Sequence, residues 1–505
     1  MSDHLPALQI VLPLIAAPVC LLLRRRMLVW AFTTAVVWAA LGIAALLLIR
    51  VLDAGTISYA MGSWSAPWGI EYRIDAVNAF ILLLVASIGA VVLVYAPHSA
   101  AREIPHDRHY LFYAAYLLCL TGLLGIAITG DAFNLFVFLE ISSLSTYALI
   151  SLGGDRRALT AAYQYLVLGT VGATFILIGV GLLYMATGTL NMADLAVRLG
   201  PVLDTRTVLA AFAFLGVGLC LKLALFPLHM WLPNAYCYAP SMVTAFLAAT
   251  ATKVSVYVLL RFVFTVFGPR FAFDTVGLHA VLLPLSLLAV FAASTVAIFQ
   301  TNIKRMLAWS SVAQIGYMTL GVGLVSVIGA GPDVRFGPGS LNGLTAGIVH
   351  LFNHAVMKGA LFLGMGCIAL RVGSVNLDDM HGLGRRMPLT MAAFVLGGLS
   401  LIGVPLTVGF ISKWYLVLAA LEKGWWPVAV LVLLGSLLAV VYVWRVVEVA
   451  YFRKPPVPAG RDEAPLLMHI PMWILIAATF YFGISTSLTV GVARQAAGWL
   501  MGIAP

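Results

Sequence analysis

From one end to the other, this chain of 505 residues is a succession of apolar runs about 20 residues long, parted by short polar breaks. A run of that length crosses the roughly 30 Å hydrocarbon layer of a bilayer as an α-helix, pairing every backbone N–H and C=O within the segment. Fourteen runs are laid out, at 6–23, 27–50, 76–96, 110–129, 132–152, 161–187, 207–236, 240–267, 276–299, 305–328, 341–370, 388–419, 425–449 and 466–488. The charge content agrees: 10% of residues are charged, where a soluble domain carries about 25%. The fold class expected is an all-α integral membrane protein of about fourteen transmembrane helices.

The longest loops, at 51–75, 188–206, 371–387 and 450–465, leave no room for a soluble catalytic domain. The formal net charge of +10 is scattered through short loops, without the basic stripe that nucleic acid requires. Alternate loops differ, however. One set holds fifteen basic residues: Arg24, Arg25, Arg26, Arg102, Arg108, Arg156, Arg157, Lys304, Arg305, Arg371, Arg385, Arg386, Arg453, Lys454 and Arg461. The other holds seven, namely Arg50, Arg73, Arg198, Arg206, Arg270, Arg335 and Lys423, with Arg494 in the tail. Basic loops stay in the cytoplasm, so both termini are expected on the periplasmic or outer face of the cell inner (plasma) membrane. Arg24–Arg26 follow the first run instead of preceding it, the pattern of a retained span rather than a cleaved signal. Cys20, Cys119, Cys220, Cys237 and Cys367 lie far apart without C-x-x-C spacing, so neither a metal site nor a disulfide framework is expected.

Four charges stand out inside apolar runs: Glu140, Lys222, Lys253 and Lys413. Each costs about 2.5–3.5 kcal/mol at a helix centre, so residues of this kind face an interior or a water-filled path. The bland reading is a snorkelling lysine or a static ion pair. The sharper one is proton exchange, because burial brings lysine and carboxylate towards neutral titration and an adjacent pair titrates as a unit. His350, His354 and Lys358 follow at four-residue steps on one helix face. Histidine suits a relay; packing and a zinc site are the rivals, though the Glu of H-E-x-x-H is missing. His229, just past Pro227, is a weaker relay candidate.

Pro227 and Pro233 interrupt the seventh run, and Pro405 and Gly409 the twelfth. Broken helices in corresponding halves mark the ion path of many transporters. Their five-span separation implies two inverted five-helix repeats. The expected organisation is 1–109 (helices 1–3), 110–267 (first repeat), 276–449 (second repeat) and 450–505 (helix 14 and tail). No P-loop, dinucleotide fingerprint or nucleophile elbow occurs, and no cofactor or metal is expected.

The stretches Gly130–Glu140, Lys222–Pro240, Ala249–Tyr257, Asn302–Gly316 and His354–Leu363 together resemble the antiporter-like membrane subunits shared by respiratory complex I and the Mrp (multiple resistance and pH) cation/proton antiporters. The resemblance spans nearly the whole chain. It implies that Glu140 and Lys222 form the ion pair of a first half-channel. Lys253, with His350 and His354, would be a central axis, and Lys413 the terminal charge of a second half-channel. Lysine at 413, a length near 500 residues and no long carboxy-terminal extension are similar to the D-type subunit of Mrp antiporters. Asn234-Ala-Tyr, in place of the Asp-Ala-His common in complex I, also leans to the Mrp side. No sodium-selective motif is seen.

The function this implies is a proton-translocating subunit of a multisubunit monovalent cation (Na+)/proton antiporter: a transporter subunit rather than an enzyme. Its expected partners are a large A-type subunit, small hydrophobic subunits, H+, Na+ and the bilayer, with no nucleic acid. The alternative is the same file driven by a redox complex of the NADH–quinone or membrane-hydrogenase type. A third class is a scaffold whose charges are static.

Overall fold

The computed structural model describes residues 2–328, 335–454 and 460–503. Helices α1 (Leu5–Leu22) and α2 (Arg26–Ala54) precede a hairpin of β1 (Ile57–Ala60) and β2 (Glu71–Ile74). Then come α3 (Ala76–Glu103), α4 (His109–Ile128), α5 (Ala132–Ser151), α6 (Arg157–Thr187) and a short α7 (Met192–Leu199). The seventh crossing is split into α8 (Arg206–Leu223) and α9 (Trp231–Tyr238). After it follow α10 (Ser241–Leu260), α11 (Leu278–Ile298), α12 (Ile303–Gly323), the strands β3 (Val327–Ile328) and β4 (Arg335–Phe336), and α13 (Ser340–Val372). A short α14 (Leu383–Arg386) leads to the split crossing α15 (Pro388–Ile402) and α16 (Val408–Glu422). The last helices are α17 (Trp426–Val447), α18 (Leu466–Ile484) and α19 (Ser487–Leu500).

The described residues make fourteen crossings. Twelve contain a helix long and apolar enough to span a bilayer. The other two are α12, whose polar residues lower its hydropathy, and the broken α15/α16. Capping side chains set several starts: Asp75 accepts from the amides of Val77 and Asn78, Asp131 from Asn134, Thr205 from Val208 and Asn302 from Arg305. We call the side on which α1 begins the terminal face and the other the basic face.

Helices α4–α10 and α11–α17 repeat one plan in opposite directions. In each set the first helix packs on the second and the second on the third; the third packs on the broken helix, and the fifth closes back on the first. α4 climbs from the basic face and α11 descends from the terminal face, so the repeats are inverted.

The structure differs from the sequence expectation in several details. The third apolar run stops at 96, before Pro97, yet α3 continues to Glu103. Proline cannot bond the carbonyl four residues back, and the indole of Trp30 does so instead, donating to Leu93 O at 3.0 Å. Of the expected interruptions, only Pro227 and Pro405 lie in the breaks. Pro233 sits in the first turn of α9, where its missing N–H costs nothing. Gly409 lies in the first turn of α16, and its role is close approach: a Cβ there would collide with Ser400 O. The turn at the second break is made instead by Gly403 and Leu406, both with positive φ. The hairpin β1–β2, α7 and the amphipathic α19 add to the expected plan, since short polar segments carry no membrane-length signal.

Candidate functional site

Glu140 and Ser143 lie one turn apart on α5 and face the end of α8. Lys222 occupies the last turn of α8, one residue before Leu223, and is therefore not at mid-helix as its apolar neighbours suggest. Its ammonium donates to Ser143 Oγ at 2.8 Å and stands 3.8 Å from Glu140 Oε1. Lys222 is buried, whereas the Glu140 side chain is 26% exposed, on a stripe with Phe133, Val137 and Leu144. Glu140 Oε1 accepts no hydrogen bond from any described residue. At such a distance the attraction is on the order of 4 kcal/mol for an effective dielectric of 20, less on the open side of the carboxylate. The pair is close enough to be coupled and loose enough to be broken.

The break after α8 brings a third group inward. His229 is buried between Phe226 and the indole of Trp309 on α12, ring centroids 5.2 and 5.0 Å away. Neither ring nitrogen has a hydrogen-bond partner among the described residues. His229 thus bridges the first broken helix to the second repeat through ring contacts.

Lys253 is completely buried on α10; its ammonium bonds Ala248 O and, at 3.4 Å, Thr252 Oγ1. No carboxylate pairs with it among the described residues. It lies within electrostatic reach of His350, His354 and Lys358, all completely buried on the unbroken α13. Lys358 donates to Leu307 O at 2.7 Å and to Ser310 Oγ. The imidazoles of His354 and His350 are near-parallel, centroids 6.0 Å apart. His350 continues the contacts, Nδ1 to Ser412 Oγ at 2.7 Å and Nε2 to Gln314 Oε1 at 3.0 Å. The His354 nitrogens lack described partners.

Ser412 leads to Lys413, its neighbour on α16. The buried Lys413 ammonium donates to Leu401 O at 3.0 Å and Ile402 O at 2.7 Å, the carbonyls freed at the end of α15. It also sits 5.0 Å from the centre of the Tyr317 ring. Both breaks therefore hold a lysine ammonium near the negative end of a half-helix. Beyond Lys413, towards the terminal face, lies a separate apolar cluster including Leu320, Leu324, Leu416 and Val432.

The singled-out residues thus fall into a file of two parts: Glu140 with Lys222, and Lys253, Lys358, His354, His350 and Lys413, with His229 against Trp309. Only Glu140 brings negative charge. The ammonium groups of Lys253, Lys358 and Lys413 rest on carbonyl and hydroxyl oxygens alone, so each proton added repels those already present. Sequence reasoning misses two further groups, Arg261 on the continuation of α10 and Asp75, which form a buried ion pair at 2.6 Å. Arg261 lies eight residues past Lys253, a spacing that flags it. Gln314, Ser310, Ser143 and Ser412 carry no sequence signal of their own.

Residues 129–439 match the NADH:quinone oxidoreductase/Mrp antiporter transmembrane family. The N subunit of the NADH-quinone oxidoreductase of Desulforudis audaxviator (strain MP104C) is 43% identical, over 92% of this chain and 90% of the relative. The D-type subunit of the Na(+)/H(+) antiporter of Bacillus subtilis (strain 168) is 30% identical, over 98% of this chain and 96% of the relative. A chain of the Mrp complex from Dietzia sp. DQ12-45-1b superposes with a TM-score of 0.88 at 25% identity, covering 99% of this chain and 97% of its own. This chain belongs to the NADH:quinone oxidoreductase/Mrp antiporter transmembrane family.

Proposed function

We propose that this multi-pass membrane protein conducts protons laterally from Glu140–Lys222 through Lys253 and the α13 histidines to Lys413, as the D-type subunit of a multisubunit monovalent cation/proton antiporter. The observation that carries the reading is the file itself, a succession of buried titratable groups joining two broken helices. A scaffold would not need three uncompensated lysines in a low-dielectric interior. The D-type relative from the Na(+)/H(+) antiporter and the superposed chain of an Mrp complex support the antiporter assignment. Large and small hydrophobic subunits are then its partners, with sodium as the exchanged cation.

The test is transport by the whole complex, purified and reconstituted in vesicles. Lys222→Ala, Lys253→Met and Lys413→Met should each lower cation-driven proton movement about tenfold or more, a loss of about 1.4 kcal/mol or greater in barrier height, while the complex still assembles. Normal transport by all three variants would make the charges static and the chain a scaffold.

A second reading has its own support. The relative from NADH-quinone oxidoreductase is more similar, at 43% identity, than the one from the Bacillus subtilis antiporter at 30%. In that case a redox enzyme drives the same file. Mass spectrometry of the purified complex separates the two: iron–sulfur or flavin partners would replace the antiporter reading with the redox one.

A further inference from the structure

Lys253, Tyr257, Arg261 and Thr265 follow one another at four-residue steps along α10 and its continuation towards the terminal face. A cavity of about 230 Å³ lies against the last three of these, with Asp75, Asn78, Thr129 and Trp499 among its other walls. Tyr257, its lining residue on α10, lies one helical turn, about 6 Å along the axis, past Lys253. A second cavity of about 560 Å³ reaches the other side of Asp75 and Trp499 and is also lined by Arg494 and Gln495. Two cavities, mostly apolar but with Asp75, Arg261 and Arg494 in their walls, thus lie between the terminal face and the part of α10 that follows Lys253.

At the neck stands Arg261. Its guanidinium donates to Asp75 Oδ1 at 2.6 Å and through Nε to Tyr257 Oη at 3.0 Å. Tyr257 in turn donates to Ala127 O at 3.0 Å. The indole of Trp499, from α19, lies over the guanidinium at 5.1 Å. Asp75 is 2% exposed, and its Oδ2 meets no described partner. Arginine stays protonated under all ordinary conditions and has no lone pair to accept a proton.

We propose that Arg261, held by Asp75 and covered by Trp499, is a fixed-charge barrier that keeps protons on Lys253 from escaping to the terminal face. The proposal rests on Lys253 being part of a proton path. Arg261 turns its Nε towards Tyr257 and its Nη2 to Asp75, so the positive end of the pair faces a proton moving along α10 from Lys253 and has no lone pair to pass it on, much as arginine excludes protons from water pores. Asp75 orients the guanidinium, and its carboxylate offsets part of the burial cost. The Trp499 ring covers the guanidinium and lines both cavities. Without the barrier, Tyr257 and water in the cavity would join the file to the terminal face, and transport would lose its coupling.

The experiment measures passive proton entry into vesicles holding the whole complex, under an imposed pH gradient and with no exchangeable cation. Arg261→Gln should leak several-fold faster than the wild type, and adding Lys253→Met should abolish the excess leak. Arg261→Lys, which keeps the charge, should stay tight. A tight Arg261→Gln overturns the barrier, as does a leak that persists in the Lys253→Met background. Should Arg261→Gln fail to assemble because Asp75 is left unpaired, the double variant Asp75→Asn/Arg261→Gln carries the test: it removes both buried charges, should leak through Lys253, and overturns the proposal if it stays tight. Failure of the underlying reading would show differently, as normal coupled transport in Lys253→Met.

Discussion

At the residue scale, the contrast between Lys222 and Lys413 is instructive. Both ammonium groups sit by a helix break, yet among the described residues only Lys222 has a carboxylate nearby, at 3.8 Å. Its hydrogen bond goes to Ser143, so the charge attraction and the hydrogen bond come from different side chains. Glu140→Gln should therefore remove the attraction and leave the bond, lowering coupled transport about tenfold without loss of assembly, about 1.4 kcal/mol in the barrier. Ser143→Ala, keeping the charge, should be the milder of the two. Equal transport by Glu140→Gln and wild type would exclude the pair from the path. Glu140, Lys222 and Lys413 are legible in the sequence because charge inside an apolar run is conspicuous. Ser143, Ser412 and Gln314 are not, since uncharged polar residues are common in membrane helices.

At the scale of elements, the two breaks are built differently. The first turns through Ala224 in the left-handed region and ties Leu221 O to the indole of Trp231 at 2.9 Å. The second uses Gly403 and gives its free carbonyls to Lys413. Gly409 lets α16 press against Ser400 at the end of α15, which sets the distance Lys413 must reach. Gly409→Ala would drive a carbon into the Ser400 backbone oxygen, so α16 must shift. Overpacking of this kind costs about 1–3 kcal/mol. The expected result is a complex with a lower melting temperature and impaired transport; an unchanged melting temperature would mean that the break adapts freely. Prolines in the sequence point to both breaks, but only the packed neighbours distinguish Pro227 and Pro405, which lie in them, from Pro233 and Gly409, which do not.

At the scale of the whole molecule, inversion of the two five-helix repeats brings two broken helices to one file of titratable groups. Fourteen crossings place both termini on the same side. The excess of basic residues on the opposite side, fifteen against seven by loop, leads us to propose that the terminal face is the outer one. A cysteine introduced at Asp3 should then react with a membrane-impermeant reagent added to intact cells, and one at Arg385 should not. The reverse labelling pattern would turn the protein over and exchange the two mouths of the path.

Fold class, number of crossings and the identity of most titratable groups follow from the sequence alone. In hydrocarbon an unpaired backbone group costs several kcal/mol, so an apolar run of 20 residues has little choice but to be a spanning helix. Within such a run every lysine and glutamate stands out. Which of these groups meet is decided only by tertiary structure. Lys222 and Ser143 are 79 residues apart, His350 and Ser412 62, and Arg261 and Asp75 186. Bilayer insertion sets the depth of each residue but says nothing of which helix stands beside which. That order comes from side-chain packing between helices, and it brings charges scattered along the chain together.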